Sequence, residues 1–359
     1  MSDVPPKLTE FYRRLCDNDP SLVSLYLHFK QIGDIEMQHL IIPLQSNSYL
    51  TELCLGDNRL GDARMQYLAT ILRSNSSLIS LDLRVNEIGH IGIQHLSQAL
   101  QSNFSLISLH LSDNRIKNIG AQYLGTALQS NSSLTYLDLG CNRIQNTGMQ
   151  HLATALQFNS SLRKLNLRNN QIGDIGIQHL GMALQSNSFL TYLDLSLNQI
   201  EDTGAQHLGT ALQSNSSLTH LRIGRNRIQE VGARHLAITL RSNTSLTQLD
   251  LPYNQINCVG AQHLATVLQF NSTLTELDIN GNLPDSIEAP DSDMVLRSNF
   301  FSRIFLDRNL YTRIGLLSDR NKINIHHRNL TLVSLLLSPK SPIFGNRYST
   351  WTTKKVVDI

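Results

Sequence analysis

Cysteine is scarce in this sequence. Four residues, Cys16, Cys54, Cys141 and Cys258, are scattered over 359 positions without pairing spacings. That distribution argues against a disulfide framework and for a reducing compartment. Long apolar runs are missing as well. The longest, around Leu330–Leu337, falls far short of the roughly 20 residues needed to cross a bilayer. The N-terminal MSDVPPKLTEFYRR has no apolar core of the kind a secretory signal needs. A cytoplasmic protein with no membrane partner is therefore expected, and sequons such as those at Asn131, Asn159, Asn215 and Asn243 are expected to be unglycosylated loop residues.

Strong charge is absent too. The formal net charge is +2, with a pI near 8.3, and no partner class follows from the total. The distribution is uneven: from Arg297 onward there are eleven Lys/Arg against three Asp/Glu, a balance of +8, so the preceding 296 residues carry −6. A basic stripe free of aspartates, which nucleic-acid binding requires, is not found. No phosphate loop, nucleophile elbow, zinc-ligand spacing or paired-carboxylate motif stands out. The expectation is a non-catalytic chain with no cofactor, no metal and no small-molecule substrate.

What the sequence does contain is repetition. Leu-x-x-Leu-x-Leu-x-x-Asn-x-Ile begins at Leu134 and returns every 28 residues, its first leucines being Leu22, Leu50, Leu78, Leu106, Leu134, Leu162, Leu190, Leu218, Leu246 and Leu274. A strict period of this length signals a solenoid whose units bury a continuous core against their neighbours. In each unit the second and third leucines, such as Leu137 and Leu139, alternate with polar residues, as in a half-buried strand. The Asn that follows recurs from Asn58 to Asn282 in nine consecutive units, where an amide can pair backbone groups in a turn. Lys30 holds that place in the first unit, whose turn should be looser. The second half of the unit is helical: Met149, Leu152 and Leu156, or Ala205, Leu208 and Leu212, recur at spacings of three and four, with Asp202 or Thr203 placed to cap the start of the latter helix. Helices are wider than strands, so they take the outside and the parallel strands line the inside of a horseshoe.

These residues resemble leucine-rich repeats of the ribonuclease-inhibitor type, and the consensus LxxLxLxxNxIGDxGxQHLAxALQSNSS is similar to the repeat region of NOD-like receptors. The resemblance implies an α/β leucine-rich-repeat solenoid of ten 28-residue units. It extends over residues 22–283, preceded by an N-terminal cap at 1–21. A C-terminal capping segment is expected at 284–309 and a basic, weakly ordered tail at 310–359. The lack of GxxxxGK[ST] separates the chain from full NOD-like receptors. Ran GTPase-activating proteins share the repeat type and supply an arginine from an exposed loop. Arg59 or Arg115 stands at a loosely comparable place, which makes regulation of a small GTPase the alternative reading.

Two rows of polar residues recur with the repeat. His39, His95, His151, His179, His207, His235 and His263 hold one helix position, with Tyr67 and Tyr123 in the other two complete units. One imidazole per unit is too sparse for a zinc at about 2 Å per bond, so a structural role is expected. Asp82, Asp138, Asp194, Asp250 and Asp278 line up on what should be the exposed face of the sheet. Residues alternating with the strand leucines point into the hollow. By that rule the concave face carries Tyr136, Asp138, Arg143, Lys164, Arg168, Tyr192, Asp194, Arg222, Arg225, Arg227, Asp250 and Tyr253, with Arg115. Tyrosine and arginine are frequent interface anchors, and a ten-strand face is roughly 40–45 Å long at about 4.8 Å per strand. The expectation is a monomeric scaffold, in intracellular signalling or immune-type sensing, that binds a protein partner here. The arginines of THLRIGRNR in unit eight are placed either to seat an acidic patch on a partner or to pair across strands with Asp194 and Asp250, and the pairing is slightly favoured.

Overall fold

The computed structural model describes residues 4–6, 8–268 and 270–282. The expected closing segment at 284–309 and the tail at 310–359 lie outside the described residues. Helix α1 (Thr9–Cys16) precedes ten three-residue strands, from β1 (Ser24–Tyr26) to β10 (Glu276–Asp278), alternating with helices α2 (Asp34–Ser46) to α10 (Cys258–Val267). All ten strands form one parallel sheet in chain order. The register offset is one repeat, so Leu137 of β5 (Tyr136–Asp138) faces Leu165 of β6 (Lys164–Asn166), which faces Leu193 of β7 (Tyr192–Asp194). A strict sequence period thus becomes a strict stack.

The leucines vanish into a single core that runs from Leu8 to Ile279. Leu137, Leu139, Leu152 and Leu156 of unit five are all essentially inaccessible. Burial of each leucine is worth about 1.5–3 kcal/mol, so the array is held mainly by this shared apolar interior. Leu8 and Leu15 beside and within α1 join the same core.

Side-chain amides tie the units together at two places. Asn142 donates from Nδ2 to the carbonyls of Leu139 and Gly140 in its own unit and of Leu111 in the unit before, and its Oδ1 accepts the N–H of Ile116. Each such Asn therefore serves the preceding unit as much as its own. This explains why the first turn is not looser, contrary to expectation. Phe29 and Gln31 adopt φ of 56° and 52°, matching 55° at both Asp57 and Arg59, and Asn58 of the next unit accepts the N–H of Lys30 and Ile32. Among the described residues the segment before unit one holds α1 and no repeat strand, so Lys30 has no strand there to bond.

A second asparagine ladder runs along the helix-to-strand connections. Asn131 donates to Leu100 and Asn103 carbonyls and accepts the N–H of Ser133 and Leu134. Asn47, Asn75, Asn103, Asn159, Asn187, Asn215, Asn243 and Asn271 are buried at the same place. The sequon asparagines are therefore ladder residues, and their amides face protein.

Helix capping also crosses units, which corrects the expected local cap. Helix α8 (Asp202–Ser214) has no side-chain cap bond of its own from Asp202 or Thr203. Asp202 Oδ1 instead accepts the N–H of Gln229 and Gly232 at the start of α9 (Glu230–Leu240). Asp62 serves Gly89 and Gly92, and Asn146 serves Gly173 and Gly176, in the same way. Glycine is required opposite the cap, because a Cβ at Gly232 would lie 2.6 Å from Asp202 Oδ1. Helix α2, with no unit before it, uses its own Glu36, which accepts the N–H of Gly33.

Candidate protein-binding face

With the leucines of each strand committed to the core, two side chains per strand remain on the inner face. The row through the first of these runs Ser108, Tyr136, Lys164, Tyr192, His220 and Gln248 in direct register. Tyr136 and Tyr192 are half-buried and Lys164 is exposed. The Tyr136 ring leans on His110 at 4.9 Å between centroids, and Tyr192 lies 6.2 Å from His220. Burial pushes the Tyr136 hydroxyl up to about 12, helped by the Asp138 carboxylate. Tyr192 is raised for the same reasons, with Asp194 beside it. Burial also lowers His110, against the pull of Asp82 and Asp138. These groups stay neutral near pH 7 and present amphipathic rings rather than charge.

The period-two alternation ends with the strand, so the expected face residues beyond it are placed by turn geometry. Arg143, Arg225 and Tyr253 occupy left-handed turn positions at φ of 57°, 55° and 53°. Arg227 follows Arg225 in the turn of unit eight, Arg115 holds in unit four the place that Arg143 has in unit five, and Arg168 stands two residues beyond β6. Arg143 and Arg168 are exposed. These side chains border the strand rows rather than extend their alternation.

The aspartate row differs most from expectation. Asp82, Asp138 and Asp194 are 5%, 7% and 6% exposed, not on an open face. Each carboxylate accepts the backbone N–H two residues on, at Arg84, Gly140 and Ser196, and so closes the turn. Burial works to raise Asp82, but hydrogen bonds from the Arg84 side chain and backbone outweigh it and hold the carboxyl below its ordinary value. Asp250 cannot be satisfied this way, because residue 252 is proline and has no N–H to give. Its partners are Arg222 Nε at 2.9 Å and Gln248 Nε2 at 3.2 Å. Burial raises its pKa, despite Gln248 and Arg222.

Unit eight pairs internally as its charges suggest. Arg222 takes Asp250 and lies 5.6 Å from the Tyr192 ring centroid. Arg225 stacks over Tyr253 at 4.5 Å, and Arg227 reaches Glu201 at 3.4 Å. Asp194 is engaged by the Ser196 backbone instead. The helix histidines and their tyrosine substitutes are all half-buried, and His39 Nδ1 lies 2.8 Å from the Ile35 carbonyl.

Sequence reasoning missed one constellation. His28, Cys54 and Asp82 come from three successive units, and their ligand-capable atoms all lie within 4.8 Å of one another. Burial pushes the Cys54 thiol up to about 12, with Glu52 and Asp82 adding to it. The signal was available: among the ten units, only the first has His two residues after the strand and only the second has Cys at the strand's last position.

Ten parallel strands facing inward, with helices outside and no insertion between units, define a repeat solenoid with a continuous inner face. Seven segments match the family described as Leucine Rich repeat, at residues 46–69, 102–125, 130–153, 158–181, 186–209, 214–237 and 242–265, and the fold is an α/β leucine-rich-repeat solenoid. No curated protein matches the chain significantly. Among solved structures, an internalin C2 from Listeria monocytogenes is 24% identical over 61% of this chain and 77% of its own, with a TM-score of 0.40. The leiomodin-1 actin-binding site 2 is 20% identical over 47% of this chain and 94% of its own, at 0.34. The tropomodulin C-terminal domain from Caenorhabditis elegans is 14% identical over 46% and 98%, at 0.35. Superpositions this partial say nothing about what the present chain binds.

Proposed function

We propose that the chain is a non-catalytic scaffold that binds a protein partner through the inner face between units five and nine. The observation that supports this is the in-register row Tyr136, Lys164, Tyr192 and His220, joined by Arg222. It is a strip of aromatic and cationic side chains that the fold does not need for its core, its turns or its caps. Half-buried tyrosines held by neighbours lose little entropy on contact, which suits them as anchors. Asp138 and Asp194 end the same strands as the two tyrosines, and Arg143, Arg168, Arg225, Arg227 and Tyr253 surround the strip as a polar rim. Within this reading the protein works as a monomer in the cytoplasm, in signalling or immune-type sensing, and its repeats are of the ribonuclease-inhibitor type. Cys16, Cys54 and Cys141 are free thiols, in keeping with that compartment. No described helix is long and apolar enough to cross a membrane.

Affinity capture with the wild-type chain and with Tyr136→Ala/Tyr192→Ala, followed by mass spectrometry, tests the assignment. The double variant should keep its thermal midpoint within a few degrees and lose at least tenfold in partner affinity, about 1.4 kcal/mol. Equal capture by both proteins would move the interface elsewhere. The GTPase-regulator alternative rests on Arg59 or Arg115, the latter exposed and paired with Glu87 at 3.0 Å, and acceleration of GTP hydrolysis by the purified chain would favour it.

A further inference from the structure

We infer that units one to three hold a transition-metal site for Zn²⁺ or a similar borderline cation, formed by His28, Cys54 and Asp82. The three residues stand where this array departs from its own pattern or reuses it. Position five of the unit is Asp in units three, five, seven, nine and ten, yet Cys in unit two. Position seven is His only in unit one. The register of β1, β2 (Glu52–Cys54) and β3 (Ser80–Asp82) then places Tyr26, Cys54 and Asp82 side by side, and His28 reaches across to lie 3.9 Å from Asp82 Oδ2.

Room for that imidazole comes from Gly56. A Cβ there would sit 2.5 Å from His28 Nδ1, so any other residue at position 56 would displace the ring from above β2. Cys54 and Asp82 are 5% exposed, while His28 is half-buried and leaves the site a way in.

Imidazole nitrogen, thiolate sulfur and carboxylate oxygen together suit Zn²⁺ and disfavour Ca²⁺ or Mg²⁺, which take oxygen alone. Tetrahedral zinc with bonds of about 2.0–2.3 Å needs ligand atoms roughly 3.3–3.8 Å apart. The present separations, within 4.8 Å, close to that by side-chain rotations of about an ångström. A fourth ligand is at hand in Glu52, whose Oε1 lies 3.6 Å from Cys54 Sγ. Its other oxygen accepts the hydroxyls of Ser24 and Tyr26, an outer layer of the kind that orients ligating carboxylates. Arg84 competes, since its Nη2 lies 2.6 Å from Asp82 Oδ2. The metal must displace that guanidinium, and the site is then a clasp across the first three strands.

Cobalt serves as the probe, because a thiolate ligand gives Co²⁺ a charge-transfer band in the near ultraviolet. The full metal-free chain at micromolar concentration should bind one Co²⁺ with that band, exchange it for Zn²⁺, and melt higher with either metal present. His28→Ala, Cys54→Ser and Asp82→Asn should each weaken binding at least tenfold while circular dichroism stays native; Asn at 82 keeps the turn acceptor. Cys141→Ser should bind as wild type. Arg84→Gln should bind severalfold tighter. No band under excess Co²⁺, a band that survives Cys54→Ser, or weaker binding by Arg84→Gln would each overturn the assignment.

Discussion

The two asparagine ladders and the inner face of the sheet are built from equally periodic positions, yet they obey different rules. At the ladders the residue is the same in nearly every unit, because each amide satisfies backbone groups of two units at once. Asn142 bonds Leu111, Leu139, Gly140 and Ile116. On the inner face the same strand position is Ser, Tyr, Lys, His, Gln or Glu from one unit to the next. Uniformity marks positions with obligations to a neighbour, and variety marks positions left for something else. The aspartate row lies between the two. Asp138 and Asp194 answer to a turn N–H, and Asp250, opposite Pro252, does not.

The largest effects should come from the uniform side. Leu165→Ala removes a side chain 1% exposed in the middle of the stack and should cost about 2–5 kcal/mol. Hydrogen exchange should rise first in units five to seven, because a solenoid loosens around a weakened neighbour pair; an unchanged melting curve would contradict the register. Asn142→Ala takes the acceptor from the buried Ile116 N–H of unit four and one of two donors from the carbonyls of Leu111, Leu139 and Gly140, and should cost on the order of 3 kcal/mol. Exchange should rise in units four and five together. A rise confined to unit five would mean that the amide serves only its own turn.

Much of this division was legible in the sequence, and the failures have a common cause. The 28-residue period, the leucines and the first ladder follow from local pattern. The second ladder hides in Ser-Asn-Ser-Ser, whose composition reads as loop, although Asn131 and its counterparts are buried. The cap on α9 was invisible because Asp202 acts on residues 27 and 30 positions ahead, where a local cap reaches two or three. Arg143, Arg225 and Tyr253 sit in left-handed turns just past strands only three residues long, where strand alternation alone does not place a side chain. The cluster of His28, Cys54 and Asp82 needed the register of three units at once.

The aspartates sharpen the comparison through pH. Asp82 is held below its ordinary 3.8 in the folded chain. Its contribution is therefore complete above that pH and lost as the pH falls through the folded value. Asp250 is raised above 3.8, so its contribution is present at low pH and lost as the pH rises through the folded value. Denaturant titrations of Asp82→Asn and Asp250→Asn against wild type should therefore give stability differences with opposite pH slopes. Both differences should develop over the acid range, where the carboxyls titrate. Parallel slopes would mean that Arg222 compensates Asp250 as fully as Arg84 does Asp82.

The smallest expected effect is the most discriminating. Lys30 is exposed, and Asn58 already bonds both its N–H and the Leu27 carbonyl. Lys30→Asn would add an amide whose outward half has no preceding unit to serve, so stability should change by less than about 0.5 kcal/mol. The reverse exchange one unit on, Asn58→Lys, strips bonds from Lys30, Ile32, Leu27, Leu55 and Gly56 and forces an ammonium into a buried site, at a cost of several kcal/mol. Thermal melts of the two variants would set a near-null against a near-unfolding for the same pair of residues. If Lys30→Asn stabilises the chain as much as Asn58→Lys harms it, the ladder acts within units, and its uniformity needs another explanation than the neighbour it serves.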